Sequence, residues 1–287
     1  MTIPCALPRA PDSRRMSPFL FEWTAQNWLR TGSLNAITGQ AATYTRASSG
    51  LGIASDGRFY SATTNVPRFV YDGPGRLLLE PASTNLVVQS DALTAANGWT
   101  VSGTAAVANA YGTYAGRPFS RVTGIAADAG VVYRVVTLTG DGEKAVSYLI
   151  RNYTGDAGTV TTMLVSATDD AHLAITATIA ADHSITAVAS VGTLLSCERL
   201  ADDVYHIKAQ TTSCTAAHTN SIYAVTAATA AAVLISGVQV EDAAVPSSLI
   251  PTTTTTVTRA ADSLSFPFLP VPQALTVYVK GVECGTG

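Results

Sequence analysis

Two pairs of adjacent aspartates come closest to a catalytic carboxylate pair, Asp169-Asp170 and Asp202-Asp203. A glycosidase needs two carboxyl groups that converge on one cleft. Neighbouring residues of a strand point to opposite faces, and aspartate favours turns. We therefore predict turn-forming roles for both pairs and no catalytic residue. Calcium held by such a loop with backbone carbonyls is an alternative without further support in the sequence, and we expect no other cofactor.

The remaining groups that perform catalysis or bind metals lack the required spacing. The histidines His172, His183, His206 and His218 are scattered, without HxH or HExxH spacing, and we expect loop or surface positions for them. The GxSxG nucleophile turn and the Walker phosphate loop are absent. We predict that the protein is not an enzyme and has no metal site.

Aromatic side chains offer a binding chemistry instead, because ring faces stack on the apolar faces of sugars while polar neighbours bind the hydroxyl groups. Strand alternation places Tyr148 in the core and Tyr153 on the opposite face. We take Trp99, Tyr153 and Tyr205 as the glycan-binding candidates. The alternative is that these rings fill the interior of the fold or its rim.

Attachment to other proteins is the second binding chemistry that the sequence indicates. Residues 1–40 contain several early prolines and form an irregular N-terminal arm in this interpretation. We expect its aromatic side chains to dock on the body of the chain or on a neighbouring subunit; they are Phe19, Phe21, Trp23 and Trp28. Arg259 could bind a neighbour's carboxylate in a bidentate way.

The composition limits the class of partner. Charged residues make up only 13% and the net charge is −3, which argues against nucleic acid, since phosphate binding needs clustered Lys and Arg. No run of 18 apolar residues is present, so we expect no membrane insertion. Thr, Ser, Ala and Val replace charge, which fits a surface that contacts copies of itself or other proteins; a composition bias of the source is the alternative.

Many short strands, separated by turns every 8–12 residues or so, predict an all-β fold. We place an antiparallel jelly-roll β-sandwich at residues 86–250, after a short β lead-in at 41–85. A Thr-rich linker follows at 251–262. Residues 263–287 then begin a further β domain or form an attachment strand, because one strand cannot form a domain.

Local pairings follow from the turns. The turn at 140–142 predicts that residues 131–138 and 145–151 are antiparallel partners. Around the turn at Asp202-Asp203, register places Cys197 opposite Lys208 and not opposite Cys214, so we expect free thiols.

The order of several motifs resembles a module that recurs in virion proteins of tailed bacteriophages. The resemblance covers roughly residues 41–262. Its motifs are TRA at 45–47, PRF at 67–69, GRLLLEPASTNL at 75–86, ISGVQVE at 235–241, SSLIPT at 247–252 and TRAAD at 258–262. One departure is DVYHI at 203–207, where the family often carries Gly-Trp-Tyr-Arg.

The resemblance implies a jelly roll similar to carbohydrate-binding modules, in tail fibres, tail-tip or baseplate proteins, or head fibres and spikes. Residues 275–279 resemble the first strand of the lectin domain that often follows. The implied function is a structural virion component, assembled in the host cytoplasm, with other virion proteins as partners and a homo-oligomer, a trimer, as its state. Two alternatives remain: a module that binds a host-surface glycan, and the non-catalytic front part of a depolymerising tailspike.

Overall fold

The computed structural model describes residues 34–35, 41–70, 76–125, 130–153, 155, 157–166 and 170–265. The arm with Phe19, Phe21, Trp23 and Trp28 lies outside these residues, as does Asp169. Within the described ranges, helical structure is limited to the 3-10 turns Ala95–Asn97 and Ala201–Asp203. None of this helical structure is long and apolar enough to cross a bilayer.

Strands make up most of the described chain. In chain order they are β1 (Leu34–Asn35), β2 (Ala41–Thr45), β3 (Gly50–Ile53), β4 (Phe59–Ala62), β5 (Phe69–Val70), β6 (Arg76–Leu77), β7 (Ser83–Asn85), β8 (Thr100–Gly103), β9 (Ala106–Tyr114), β10 (Arg117–Thr123), β11 (Gly130–Val136), β12 (Ala145–Asn152), β13 (Gly158–Ser166), β14 (Ala171–Ile179), β15 (Ile185–Val191), β16 (Thr193–Arg199), β17 (Val204–Gln210), β18 (Asn220–Ala228), β19 (Ala232–Glu241), β20 (Val257–Arg259) and β21 (Ser263–Ser265).

Two six-stranded antiparallel sheets form the body. The front sheet has the order β16-β17-β12-β19-β10-β9, and the back sheet has the order β15-β14-β13-β18-β11-β8. Their inner faces enclose one large apolar core, to which β12 contributes Val146, Tyr148 and Ile150 by strand alternation. The prediction of an all-β antiparallel sandwich is confirmed.

The predicted hairpin of residues 131–138 with 145–151 is wrong. β11 pairs with β8 and β18 in the back sheet, whereas β12 pairs with β17 and β19 in the front sheet. The turn between them therefore carries the chain from one sheet to the other. Such crossovers are how sandwiches interleave their sheets, and the local turn signal is the same in both cases.

A four-stranded sheet, β4-β3-β5-β6, covers part of the outer face of the front sheet. Leu51 of this lead-in sheet packs with Phe119, Leu149 and Leu234 of the front sheet in a second apolar cluster. The approach is close at Gly116, whose φ of +78° suits glycine and where a Cβ would lie 2.6 Å from the Phe59 carbonyl oxygen. The lead-in residues are thus packed on the sandwich.

Residues 251–262, predicted as a linker, are part of the packed fold. β20 pairs with β7, and β21 pairs with β2, so the chain segments before and after the sandwich are held together. The Thr252 side chain is buried and donates to the Val87 carbonyl oxygen (2.6 Å). A run of threonines is extended both in a linker and in a packed segment, so this composition does not distinguish the two.

Cys197 and Cys214 are free thiols. Burial raises the pKa of both, most directly by desolvating the thiolate form. Cys197 lies opposite Ile207, one residue from the predicted register, because β16 has an irregularity between Leu194 and Ser196.

Candidate functional site

Three buried arginines meet two carboxylates where the lead-in and the closing segment join. The Arg68 Nη2 lies 2.5 Å from the Asp262 Oδ2 and 2.9 Å from the Glu80 Oε2. Arg46 binds Asp262 at 3.3 Å, and Arg259 binds Glu80 at 3.5 Å. We call these five residues the arginine network. Each of its guanidinium groups has a carboxylate partner within the chain.

Hydrogen bonds complete the arginine network. The Tyr44 hydroxyl donates to Asp262, and burial together with this bond raises the tyrosine pKa to about 12. For Asp262, burial opposes ionisation, but the bonds from Tyr44, the Glu80 backbone N–H and Arg68 together lower its pKa. The carboxylate is therefore held in its charged form.

The suggestion that Arg259 binds a neighbouring subunit is wrong. Its side chain is 1% exposed. It forms ion pairs with Glu80 and Asp262 and donates a hydrogen bond to the Pro81 carbonyl oxygen, all within its own chain. The arginine network draws on TRA, PRF, GRLLLEPASTNL and TRAAD, so it unites most of the motifs that carry the phage resemblance. These motifs hold the fold together.

A groove of about 660 Å³ lies beside the arginine network, between residues 77–84 and 241–247. The described residues that line it include no aromatic side chain. The buried Glu241 carboxylate accepts from the Ser83 hydroxyl (2.7 Å) and the Ser247 backbone N–H (3.1 Å), and burial raises its pKa. The described part of the groove thus has neither a stacking face nor a free carboxylate.

Asp202 and Asp203, one of the two pairs considered for catalysis, form hydrogen bonds and ion pairs with their own chain. Asp202 accepts from the Ala115 backbone N–H (2.8 Å) and from Arg58 (2.6 Å), and these bonds outweigh burial and lower its pKa. Asp203 pairs with Arg199. Both aspartates have positive φ angles, as expected in a tight turn. No cluster of three metal-binding side chains occurs among the described residues.

His206 is an exception to the expectation that the histidines lie in loops or on the surface. It is buried on β17, and the edge of its ring meets Phe59 of the lead-in sheet, with centroids 6.2 Å apart. Neither ring nitrogen has a hydrogen-bond partner among the described residues. Burial, with a smaller contribution from Lys208, holds its pKa well below the usual value.

Two of the three glycan-binding candidates do not present a ring to solvent. Trp99 is 2% exposed and its indole N–H donates to the Gln89 carbonyl oxygen (3.1 Å). Tyr205 is 7% exposed and belongs to the main core. Both rings therefore fill the sandwich, which corrects the prediction at these positions.

Tyr153 lies on the outer face of the front sheet, together with two residues that the sequence did not single out. The Tyr111 and Tyr153 rings are 5.2 Å apart at 83°, and their hydroxyl groups are hydrogen-bonded at 2.8 Å. The Arg121 guanidinium lies 4.5 Å from the Tyr111 ring centroid and 5.3 Å from that of Tyr153. We call these three residues the tyrosine–arginine platform.

Hydrogen bonding polarises the platform. The bonds that Tyr111 and Arg121 make to the Tyr153 oxygen lower the pKa of Tyr153. The same contact with Tyr153 raises the pKa of Tyr111. Either hydroxyl can be the donor in this pair, and the Arg121 Nη1 donates to the Tyr153 oxygen.

An irregularity in β9 brings Tyr111 to this surface. Phe119 pairs with Gly112 and Arg121 pairs with Ala108, so β9 has two more residues than its partner in this stretch. Ala110 has a φ of +48°, which a residue with a Cβ rarely adopts. Bulges of this kind redirect side chains, and backbone strain is a marker of functional sites.

Side-chain bonds hold the bulge in place. Asn109 donates to the Thr94 hydroxyl (3.1 Å) and accepts from the Ser120 hydroxyl (2.9 Å). A glycine inside a strand was the available signal for this bulge, because Gly112 directly follows Tyr111. Simple alternation could not place Tyr111, since a bulge interrupts it.

A second arginine extends the platform along the sheet. Arg121 and Arg151 both pair with Leu234, from the two sides of β19, so they share one cross-strand row on the outer face. The Arg151 guanidinium lies 4.3 Å from the Tyr114 ring centroid. The exposed part of the front sheet therefore alternates aromatic and cationic groups.

No protein-family model and no curated protein matches the sequence. Among solved structures, the chain is similar to the CBM22-1–GH10 modules of a Clostridium thermocellum endo-1,4-beta-D-xylanase complexed with xylohexaose (13% identity, TM-score 0.36, 56% of this chain and 29% of that chain). It is also similar to the CBM22-1 xylan-binding domain of a Paenibacillus barcinonensis protein (13%, 0.33, 55% and 90%).

A third similar structure is the enzymatically active domain of tailspike protein 4 of bacteriophage CBA120 (11% identity, TM-score 0.30, 58% of this chain and 21% of that chain). The chain thus spans less than a third of the xylanase and tailspike chains. Scores of this size carry no argument about function, which therefore depends on the side chains of this chain.

Proposed function

We propose that the chain is a non-catalytic saccharide-binding module and that its ligand lies on the tyrosine–arginine platform. The observation that carries this proposal is the arrangement of Tyr111, Tyr153 and Arg121 on the outer face of the front sheet. Tyr111 is 38% exposed, so its ring is accessible to a ligand. A strained, side-chain-anchored bulge supports the same position.

The chemistry of the platform suits a sugar. A pyranose ring places its apolar C–H face on a tyrosine ring, and its hydroxyl groups bond to the phenol oxygens and the guanidinium N–H groups. The two ring planes at 83° form a corner that limits how a sugar can turn. Asp202 and Asp203 are held by their own partners, which supports a proposal of binding without cleavage.

The test is a glycan array with the full chain, followed by calorimetry on the best ligand. Tyr111→Ala and Tyr153→Ala each lower the affinity about tenfold in this proposal. The matched control is Tyr133→Ala, because Tyr133 stacks on Tyr223 at 4.8 Å on the outer face of the back sheet. An equal loss in all three variants would contradict the proposed site.

We also propose a setting for this module, namely a structural part of a tailed-phage virion. The observation that favours it, beside the motif resemblance, is the outer face of the back sheet, where Val135 and Val188 are 55% and 63% exposed. Thr161 and Thr176 pair across the same face and share a hydrogen bond (3.1 Å). Such a weakly charged face suits contact with other virion proteins or with copies in a trimer.

The virion proposal is tested on purified particles. Mass spectrometry of washed virions, and labelling with an antibody against the chain, should place it on the tail or the head. Cleavage of any bound glycan by the chain would contradict the non-catalytic assignment. Absence from particles would exclude the virion setting and leave saccharide binding untouched.

A further inference from the structure

Among the described residues, the positive charge of the platform has no carboxylate partner. We propose that it selects acidic saccharides, with the Arg121 guanidinium binding a sugar carboxylate while a tyrosine ring holds the sugar face. This inference rests on the proposed saccharide-binding function and names the class of ligand.

The partners of the arginines differ. Arg46, Arg68, Arg117, Arg199 and Arg259 each have a carboxylate partner in their own chain. Arg121, Arg134 and Arg151 have none among the described residues. Arg134 and Arg151 bind backbone carbonyl oxygens, whereas the Arg121 Nη1 donates to the Tyr153 hydroxyl at 3.2 Å. An arginine on an open sheet face with only aromatic partners keeps its charge available for an anion.

The geometry of the Arg121 guanidinium leaves one end for a ligand. Its Nε has no acceptor in the described part of the chain and is shielded from solvent, so a ligand cannot reach it. Carboxylates bind guanidinium groups through two parallel N–H bonds. A sugar carboxylate would therefore bind the Nη1–Nη2 end, and the two rings already orient the guanidinium plane.

The charge around the platform also favours an anion. Arg151, in the same cross-strand row, adds a second cation. Its Nε donates to the Asp202 carbonyl oxygen (2.7 Å). The Asp202 carboxylate near it is already neutralised by Arg58. The row is therefore locally positive on a chain whose net charge is −3.

The test compares a panel of uronate-containing polysaccharides with the same polymers after chemical reduction of their carboxyl groups. Reduction leaves the sugar ring and removes the charge. Calorimetry or biolayer interferometry on the full chain should show at least about tenfold weaker binding to the reduced polymers, and the binding to the acidic polymers should weaken with added salt.

The variant Arg121→Gln tests whether Arg121 causes the preference for acidic polymers. Arg121→Gln should lower the affinity for the acidic polymers about tenfold and the affinity for the reduced ones by much less, because only the acidic polymers lose a carboxylate–guanidinium pair. Circular dichroism and the thermal unfolding midpoint of the unliganded variant show that it is folded. The control is Arg199→Gln, since Arg199 pairs with Asp203 at an exposed position.

The two proposals fail in different ways. Equal binding of acidic and reduced polymers would overturn the selection of acids and leave saccharide binding in place. Acid binding that Arg121→Gln does not weaken would also overturn it, because the carboxylate would then lie elsewhere. If neither form binds and the glycan array is empty, the proposed function itself is overturned.

Discussion

The arginine network and the tyrosine–arginine platform use the same residue types in opposite ways. In the network, Arg46, Arg68 and Arg259 are buried and paired with carboxylates of distant segments. On the platform, Arg121 lies between two tyrosine rings at the surface and has no described carboxylate partner. Pairing and burial, and not residue type, separate an arginine that holds a fold from one that can hold a ligand.

This difference predicts which region tolerates change. A buried pair that loses one partner leaves an uncompensated charge, which is strongly destabilising. A stacked surface arginine can lose its charge with little effect on the fold. Variants of the network should therefore unfold the protein, and variants of the platform should change binding alone.

The largest effect should come from Asp262→Asn in the arginine network. Asp262 has no solvent exposure at its carboxylate and faces all three arginines. We expect a loss of about 3–5 kcal/mol in the free energy of unfolding, measured by urea denaturation. The control Asp56→Asn, at an exposed pair with Arg58, should have little effect. A loss equal to that of the control would show that the network does not hold the fold.

The next effect is an acid sensitivity of the contact between the lead-in sheet and the front sheet. His206 is neutral when folded, so its folded pKa lies below the unfolded value of about 6.5. The unfolded chain then binds the extra proton, and stability falls as the pH drops below 6.5. If the buried ring stays neutral, the loss from pH 7 to pH 5 is about 2 kcal/mol.

Thermal unfolding at the two pH values checks this prediction, with His206→Leu as the variant that should remove the acid sensitivity. Glu198 and Lys208 lie next to His206 on the front sheet and bind each other at 3.7 Å. Asp262 affects stability in a different pH range, because its lowered pKa contributes stability that is lost only as the pH falls below about 4. Unchanged acid sensitivity in His206→Leu would assign the effect to other groups.

A smaller effect should separate the anchor of the bulge from the rings it positions. Asn109→Ala removes the bonds to Thr94 and Ser120 and should cost about 1 kcal/mol of stability. It should also weaken saccharide binding several-fold, because Tyr111 loses its fixed position. Parallel denaturation and calorimetry separate the two effects. Full affinity in this variant would mean that the bulge does not place the ring.

The smallest effect should come from Tyr111→Phe, which keeps the ring and removes one hydroxyl. Because the hydrogen bond with Tyr111 lowers the pKa of Tyr153, the variant should raise that pKa. Titration of the tyrosine signals by NMR measures the shift. Binding should weaken less than in Tyr111→Ala, since the stacking face remains. A further fall in the Tyr153 pKa would contradict this effect of the hydrogen bond.

Much of the fold was predictable because strand alternation and turn residues are local. Tyr148 is in the core, as its alternation with Val146 and Ile150 predicts. The crossover from β11 to β12 was not predictable, because a turn inside a hairpin and a turn between two sheets contain the same residue types. The burial of Arg259 was not predictable either, since its partner Glu80 lies far away in the sequence.

The candidate site was predictable only at Tyr153, whose position on the outer face follows from counting along β12. Tyr111 was missed because the bulge at Ala110 breaks the alternation. Trp99 and Tyr205 were wrongly chosen as exposed rings, because aromatic type alone does not distinguish a core ring from a surface ring.

The central claim is that a saccharide occupies the tyrosine–arginine platform, and footprinting locates a ligand most directly. Hydroxyl-radical oxidation of the tyrosines, read by mass spectrometry with and without the best array ligand, compares the two faces of the sandwich. We predict that oxidation of Tyr111 and Tyr153 falls several-fold on binding, while that of Tyr133 on the back sheet is unchanged. Protection of Tyr133, with Tyr111 and Tyr153 oxidised as before, would place the ligand on the other face and contradict the claim.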